Sequence, residues 1–275
     1  MNCHFVIRSL TEPWEINEQR RLKYFDYSIG KVCEGDSKKL FAEEDINTEE
    51  VEGLLNKLID QPLAKFKKDL LSGQDALKIG YWKTFRALHL YFLLQAPRYA
   101  KLNDPKDATS ALDEVLKKGE DFLDQIVRVR METHDLRLFK VPDGRVLCFP
   151  ATGFFSFPIE DAGCETGFTF SYGVPIFSNI ALVITPKTAT ENGLKQLREL
   201  LHSFSVGISD SCEKVVLPKE MVEQLGETEI EAMMAGLREG AKMISEGIHE
   251  LRRLVVKSYE AMGLKLEPIR RGPSK

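Results

Sequence analysis

Four residues of this chain combine types and spacings suited to chemistry: His4, Arg8, Gln95 and Arg98. A guanidinium presents a planar fork of donors that matches phosphate or carboxylate. An imidazole beside it adds a hydrogen bond or moves a proton near neutral pH. Gln95 and Arg98 are three apart, so on a helix they share one face. The same four residues suit a second role, a buried polar network that pins an N-terminal strand to a central helix.

A further set lies in "RVRMETHD", where Arg128 and His134 stand at R-x5-H spacing. One class of helical RNases uses that spacing, with the His as general acid or base and the Arg holding phosphate. With only five histidines and ordinary arginine frequency, about one such match arises by chance. His134-Asp135 is also a pair used by metal-dependent phosphohydrolases, which need more His and Asp ligands. His89 is the extra histidine in reach, but its apolar helical surroundings fit a core histidine with one satisfied hydrogen bond. Cys164 sits between glycines in "AGCETG" with no base supplied by any motif. The chain has no G-x-S-x-G, Walker A, G-x-G-x-x-G or H-E-x-x-H pattern. No cofactor or metal site is expected from these residues.

Composition bounds the elements that must position these groups. The chain has 275 residues, 43% hydrophobic and 29% charged, which is ordinary globular composition. A net charge of -4 gives no global attraction to nucleic acid or anionic membrane. Five scattered cysteines, none in C-x-x-C, fit neither a disulfide framework nor zinc spacing. No apolar run approaches a membrane span. A cytoplasmic, soluble protein is the expectation.

The first 46 residues read as short strands and loops, with strands at "FVIRSL" and "LKYFDYS" and a connector at "VCEGDSKKLF". Helical spacing takes over at 47–131. Asn47 and Glu50 stand at capping-box spacing, and Pro62 is expected to kink or split the helix that follows, which Gly73 ends. The segment "YWKTFRALHLYFLLQAPRYA" is apolar on most sides, predicting a helix central to the core and limited near Pro97. A third helix is predicted over Ala108 to Met131. Residues 134–186 read as β-rich, with "LRLFKV-PDG-RVLCFP" as a hairpin. Helices return over 190–262, including a long C-terminal one from Glu227, and 266–275 is a flexible tail. The whole predicts one α+β domain over 1–265, with helices around a central apolar helix and a mostly antiparallel β section.

Several of these stretches resemble domain-of-unknown-function family 4238. In "CHFVIRSLTEPWE", His4, Phe5 and Arg8 match its N-terminal signature, and "LKYFDY" is similar to the strand after it. "FLLQAPRYA" is similar to its central helix, with Gln95 and Arg98 as its Gln-x-x-Arg pair. "LCFPATGFFSFPIED" and "GVPIFSNIALVITP" resemble its C-terminal β region, so the likeness spans most of Met1 to Pro186. Val6 stands where members often have proline, and "ETHDLRLF" replaces their Ser-Asp-x-Pro element. The resemblance implies a shared fold and site, and no activity.

Two functional readings follow. One is a non-catalytic binding or interaction protein in a bacterial stress or defence setting, with Met233, Met234 and Met243 of the C-terminal helix serving a protein partner or a second copy. The other is a nucleic-acid or phosphoester-acting enzyme, a nuclease for example, built on His4, Arg8, Gln95 and Arg98 or on Arg128 and His134.

Overall fold

The computed structural model describes residues 2–4, 6, 8–44, 48–103, 116–165, 167–205 and 213–240. Within these, side chains are described except at 2–4, 8, 38, 42–44, 95–103 and 204. In chain order the strands are β1 (Asn2–His4), β2 (Arg21–Asp26), β3 (Lys31–Asp36), β4 (Ala42–Glu44), β5 (His134–Lys140), β6 (Phe149–Pro150), β7 (Phe155–Glu160), β8 (Phe168–Phe177), β9 (Ile180–Pro186) and β10 (Lys214–Val216). The helices are α1 (Arg8–Thr11), α2 (Ser37–Leu40), α3 (Glu49–Leu55), α4 (Gln61–Leu71), α5 (Ala76–Asn103), α6 (Glu120–Thr133), α7 (Glu191–Ser205), α8 (Lys219–Gln224) and α9 (227–240). The fold is α+β. No helix among the described residues is long and apolar enough to cross a membrane.

Two four-stranded antiparallel sheets carry the β content. The larger runs β5-β9-β8-β7, the smaller β3-β2-β10-β6, and β1 pairs with β4 alone. Alternation along the larger sheet divides its side chains between two layers. Leu136, Tyr172, Val174 and Ile184 face the main core, where they meet Phe85, Leu88 and Tyr91 of α5. Phe139, Phe157, Ile159 and Val183 face the other way, onto Leu197 and Leu201 of α7. Both faces are therefore covered. The smaller sheet packs Phe25 and Val215 against Met221, Ile230 and Met234.

The expected central helix is α5. From Thr84 to Leu94 only Arg86, Phe92 and Leu93 are not buried. It runs through Pro97 to Asn103 rather than ending there. The missing N–H of one proline removes one hydrogen bond from a helix of 28 residues, which the rest of the ladder tolerates. Pro62 does not split its helix either. A π turn over Asn56–Asp60 joins α3 to α4 just before it, and the wider turn relieves the clash between a proline ring and the preceding carbonyl. The N-cap of α3 is Thr48, whose Oγ1 accepts from the Val51 N–H at 3.3 Å. Asn47 lies outside the described residues.

Other expectations are corrected. Only Asn2–His4 of the N-terminal stretch is a strand, and Arg8–Thr11 is helical. The supposed connector "VCEGDSKKLF" begins as β3, paired along its whole length with β2. The third helix begins at Glu120, after Gly119 at φ 83, and its predicted residues 108–115 lie outside the described set. The Pro-Asp-Gly turn forms, with Arg145 N–H donating to the Pro142 carbonyl at 3.1 Å. Its arms do not pair with each other. β5 pairs with β9 and β6 with β10, so the turn carries the chain from one sheet to the other. The C-terminal helix is described to residue 240, and Met243 and the tail fall beyond it. Met234 is buried in the smaller core.

Trp14 shows how the N-terminus is held. It is fully buried, its Nε1 donates to the Leu147 carbonyl at 3.1 Å, and its ring meets Phe149 edge-on at 5.3 Å.

Two glycines separate packing from propensity. A Cβ at Gly173, in the middle of β8, would overlap the Leu182 carbonyl oxygen of β9. At Gly53, exposed in α3, a Cβ would meet nothing. Gly173→Ala is expected to destabilise by about 1–3 kcal/mol. Gly53→Ala should stabilise by about 0.5–1 kcal/mol. Urea denaturation of the two variants checks both signs.

Candidate functional site

His89 is a titratable side chain buried in the most apolar part of α5, 5% exposed. An imidazole there needs a hydrogen-bonding partner, because an unpaired buried polar group is costly. That partner is Tyr172, from the middle of β8, with its Oη 2.5 Å from His89 Nδ1. Phe92, almost one turn further along α5, stacks on the Tyr172 ring with centroids 4.0 Å apart. Arg130, in the last turn of α6, approaches the same tyrosine. Its guanidinium lies 5.5 Å from the ring centroid. A cation in this last turn also complements the helix dipole.

His134 caps the C-terminal end of α6 and opens β5. It is 6% exposed, and its Nδ1 lies 2.8 Å from Thr133 Oγ1. One helix end and one strand start thus set Arg130 and His134 beside Tyr172 and His89, which come from two other elements.

The electrostatics follow from burial and from Arg130. Burial lowers the His89 pKa to about 4, with Arg130 and His134 adding to the effect. His134 is likewise lowered to about 4, by burial first and Arg130 second, against a smaller opposing influence of Asp161 and Asp135. Tyr172 is pushed up to about 12 by burial, partly offset by Arg130. At neutral pH the two imidazoles are neutral, the phenol keeps its proton, and Arg130 is the only charge of the four.

Two atoms of the set are left over. Arg130 Nε and His134 Nε2 are buried with no hydrogen-bond partner, and no ion pair holds Arg130 among the described residues. The neighbouring carboxylates are engaged elsewhere. Asp135 accepts from Tyr81 Oη at 3.3 Å and pairs with Arg137 at 3.6 Å. Asp161 accepts from Thr188 Oγ1 and from the Gly163 N–H.

Of the residues singled out in the sequence, His134 and His89 join this cluster. Arg128 does not: it is exposed, with its guanidinium 5.0 Å above the Trp82 ring. Two residues along a helix is about half a turn, so Arg128 and Arg130 leave α6 on different sides. The backbone positions of His4 in β1, Arg8 in α1, and Gln95 and Arg98 in α5 are described, and their side chains lie outside the described set. His134 and Asp135 are successive strand residues whose side chains leave on opposite faces. Cys164 sits in the tight turn between Asp161 and Gly167. Arg130 and Tyr172 were missed by the sequence reading. The available signal for Arg130 was its place one turn before the helix-ending His134.

A concavity of about 770 Å³ lies apart from this cluster, between α4, the turn at Glu12–Trp14, the β8–β9 hairpin and α8. Its one lysine, Lys67, is already engaged by the Ser9 carbonyl at 2.6 Å and by Glu12 at 3.2 Å. No family model, curated protein or solved structure matches the chain.

Stability should fall in mild acid. Both histidines are depressed in the fold, so the unfolded chain binds more protons between about pH 6.5 and 4, and their contribution is full above 6.5 and lost as pH falls toward 4. From pH 6.5 to 5 the loss is on the order of 1.5 kcal/mol per histidine. Urea midpoints across that range should show it, and His134→Asn should remove part of the slope. A flat profile in the wild-type protein would contradict the neutral buried imidazoles.

Proposed function

We propose that the protein is a non-catalytic binding protein that takes up an anionic group at Arg130 and His134. The observation that supports this is a guanidinium with no carboxylate partner among the described residues and a buried Nε that nothing satisfies. Arg130 is half-buried, and a guanidinium nitrogen turned inward is ordinarily hydrogen-bonded. Arginine's fork, with Nε and one terminal nitrogen side by side, suits two oxygens of a phosphate or carboxylate. Neutral imidazoles on either side add polarity without adding charge, so one negative group balances the site. The likeness to family 4238 belongs to the same proposal, and would place His4, Arg8, Gln95 and Arg98 in a polar network near the N-terminal strand.

The enzyme reading would use the same Arg130 with His134 as base. Binding is favoured because His89 is tied to Tyr172 and both of these residues are sealed in the core. Hydrolysis of p-nitrophenyl phosphate by the wild-type protein and not by His134→Asn would replace binding with catalysis.

Isothermal titration with phosphate, sulfate and acetate tests the proposal. At least one of them should bind the wild-type protein. Arg130→Gln should abolish binding while the exposed Arg128→Gln leaves it unchanged, with both variants melting within a few degrees of wild type. Failure of every anion to bind, or wild-type affinity in Arg130→Gln, would overturn the proposal.

A further inference from the structure

The concavity between α4 and α8 has room for a small organic molecule. Its volume of about 770 Å³ falls within the roughly 300–1,000 Å³ usual for such sites, which are mostly apolar with a few placed polar groups. The apolar lining is Pro13, Leu70, Leu71, Phe177 and Ile180. Leu71 is 67% exposed, so a bound apolar body would take its side chain out of water. The charged groups decide the sign of the ligand. Lys67 is a cation in the lining, but its donors are spent on the fold. It is 8% exposed, its Nζ donates to the Ser9 carbonyl at 2.6 Å and to Glu12 at 3.2 Å, and it lies 5.9 Å from the Phe177 ring centroid. Glu12 therefore balances Lys67. Glu220 has no such partner. Its Oε1 accepts from Ser178 Oγ at 2.7 Å, a neutral donor, and it makes no ion pair among the described residues. The adjacent Lys219 pairs with Glu223 at 3.6 Å. Two carboxylates and one ammonium thus line the space, and one negative charge is left over.

We propose that this concavity binds a small primary ammonium compound with an apolar body, such as an arylalkyl amine. The ammonium sits against Glu220, and the hydrocarbon lies against Leu70, Leu71 and Phe177. An amine of this kind keeps its proton at neutral pH, as lysine does. Glu220 Oε2 is available to accept from it, while the Ser178 hydrogen bond already steadies the carboxylate, so less side-chain freedom is lost on binding. Glu220 is exposed, so the charge pair adds modest affinity and selects the sign, and the apolar contacts supply the rest. An anion of the same shape would face the surplus negative charge with the lysine's donors already taken. The site shares no lining residue with the Arg130 cluster and does not depend on what binds there.

Phenethylammonium, phenethyl alcohol and hydrocinnamate share one hydrocarbon body and differ in charge. Amide NMR titration of the full chain with each of them provides the test. Phenethylammonium should shift the signals of Leu71 and of residues 177–180, and should bind about fivefold tighter than the alcohol at low salt. Hydrocinnamate should bind most weakly. Glu220→Gln keeps the acceptor for Ser178 and removes the charge. It should weaken the ammonium about fivefold and leave the alcohol unchanged. Leu71→Ser should weaken both together. Both positions are exposed, so each variant should melt within a few degrees of wild type. The three ligands compared on the wild-type chain test the charge preference without either variant. Equal affinity for ammonium and alcohol, or tighter binding of hydrocinnamate, overturns the inference. So do shifts confined to other residues, wild-type affinity for the ammonium in Glu220→Gln or Leu71→Ser, and failure of phenethylammonium to bind at millimolar concentration.

Discussion

The architecture depends on a helix that is apolar nearly all the way round. Between Phe85 and Leu94, α5 has no broad face that water can solvate favourably, so other elements must close over it. The larger sheet supplies one cover, with Val174, Leu182 and Ile184. The α3–α4 arm supplies another through Leu58, Ile59, Leu63 and Phe66. At about 25 cal/mol per Å² of apolar surface removed from water, a helix of this kind draws in whatever can cover it. His89 is the buried titratable group within it, and it determines local detail. Tyr172 has to face α5 to satisfy it, and the alternation of β8 then sends Val174 and Ile176 the same way.

That dependence explains which parts of the fold were legible in the sequence. The segments whose burial is set by their own pattern were read correctly: α5 by its apolar run, and the β-rich stretch within 134–186 that forms β7, β8 and β9. The misread segments take their conformation from distant partners. Lys31–Asp36 has little apolar character, and becomes a strand because β2 lies beside it; the Tyr24 ring packs across Gly35, where a Cβ would stand 3.1 Å from it. Glu231 further supports this edge by accepting the Val32 N–H at 3.2 Å. The Pro-Asp-Gly turn was identifiable as a turn. Its two arms enter different sheets because β9 and β10, far along the chain, offer the better pairings.

The site was legible by residue type and not by position. Arginine and histidine near the α6–β5 junction were recognised, yet the pairing ran through Arg128. Spacing counts residues along a chain, whereas side-chain direction depends on where the helix ends and on what lies opposite. Trp82 offers an exposed ring to Arg128, and Tyr172 offers a buried one to Arg130. Tyr172 itself lies in a strand whose alternation is ordinary, and only the opposing histidine marks it.

The smaller sheet has a bearing on how the protein is made. Its central pair joins β2, at residues 21–26, to β10, at residues 214–216, and β6 completes it only by pairing with β10. On a ribosome the first strand emerges roughly 190 residues before its neighbour. At elongation rates of about 5–20 residues per second, that interval is some 10–40 seconds. During it, the β2–β3 hairpin has an open edge and an uncovered Phe25, whose eventual cover includes Val215 and Met221. The N-terminal third of the nascent chain is thus the part with most to gain from a chaperone, although in the finished molecule Phe25 is buried beneath Val215 and Met221.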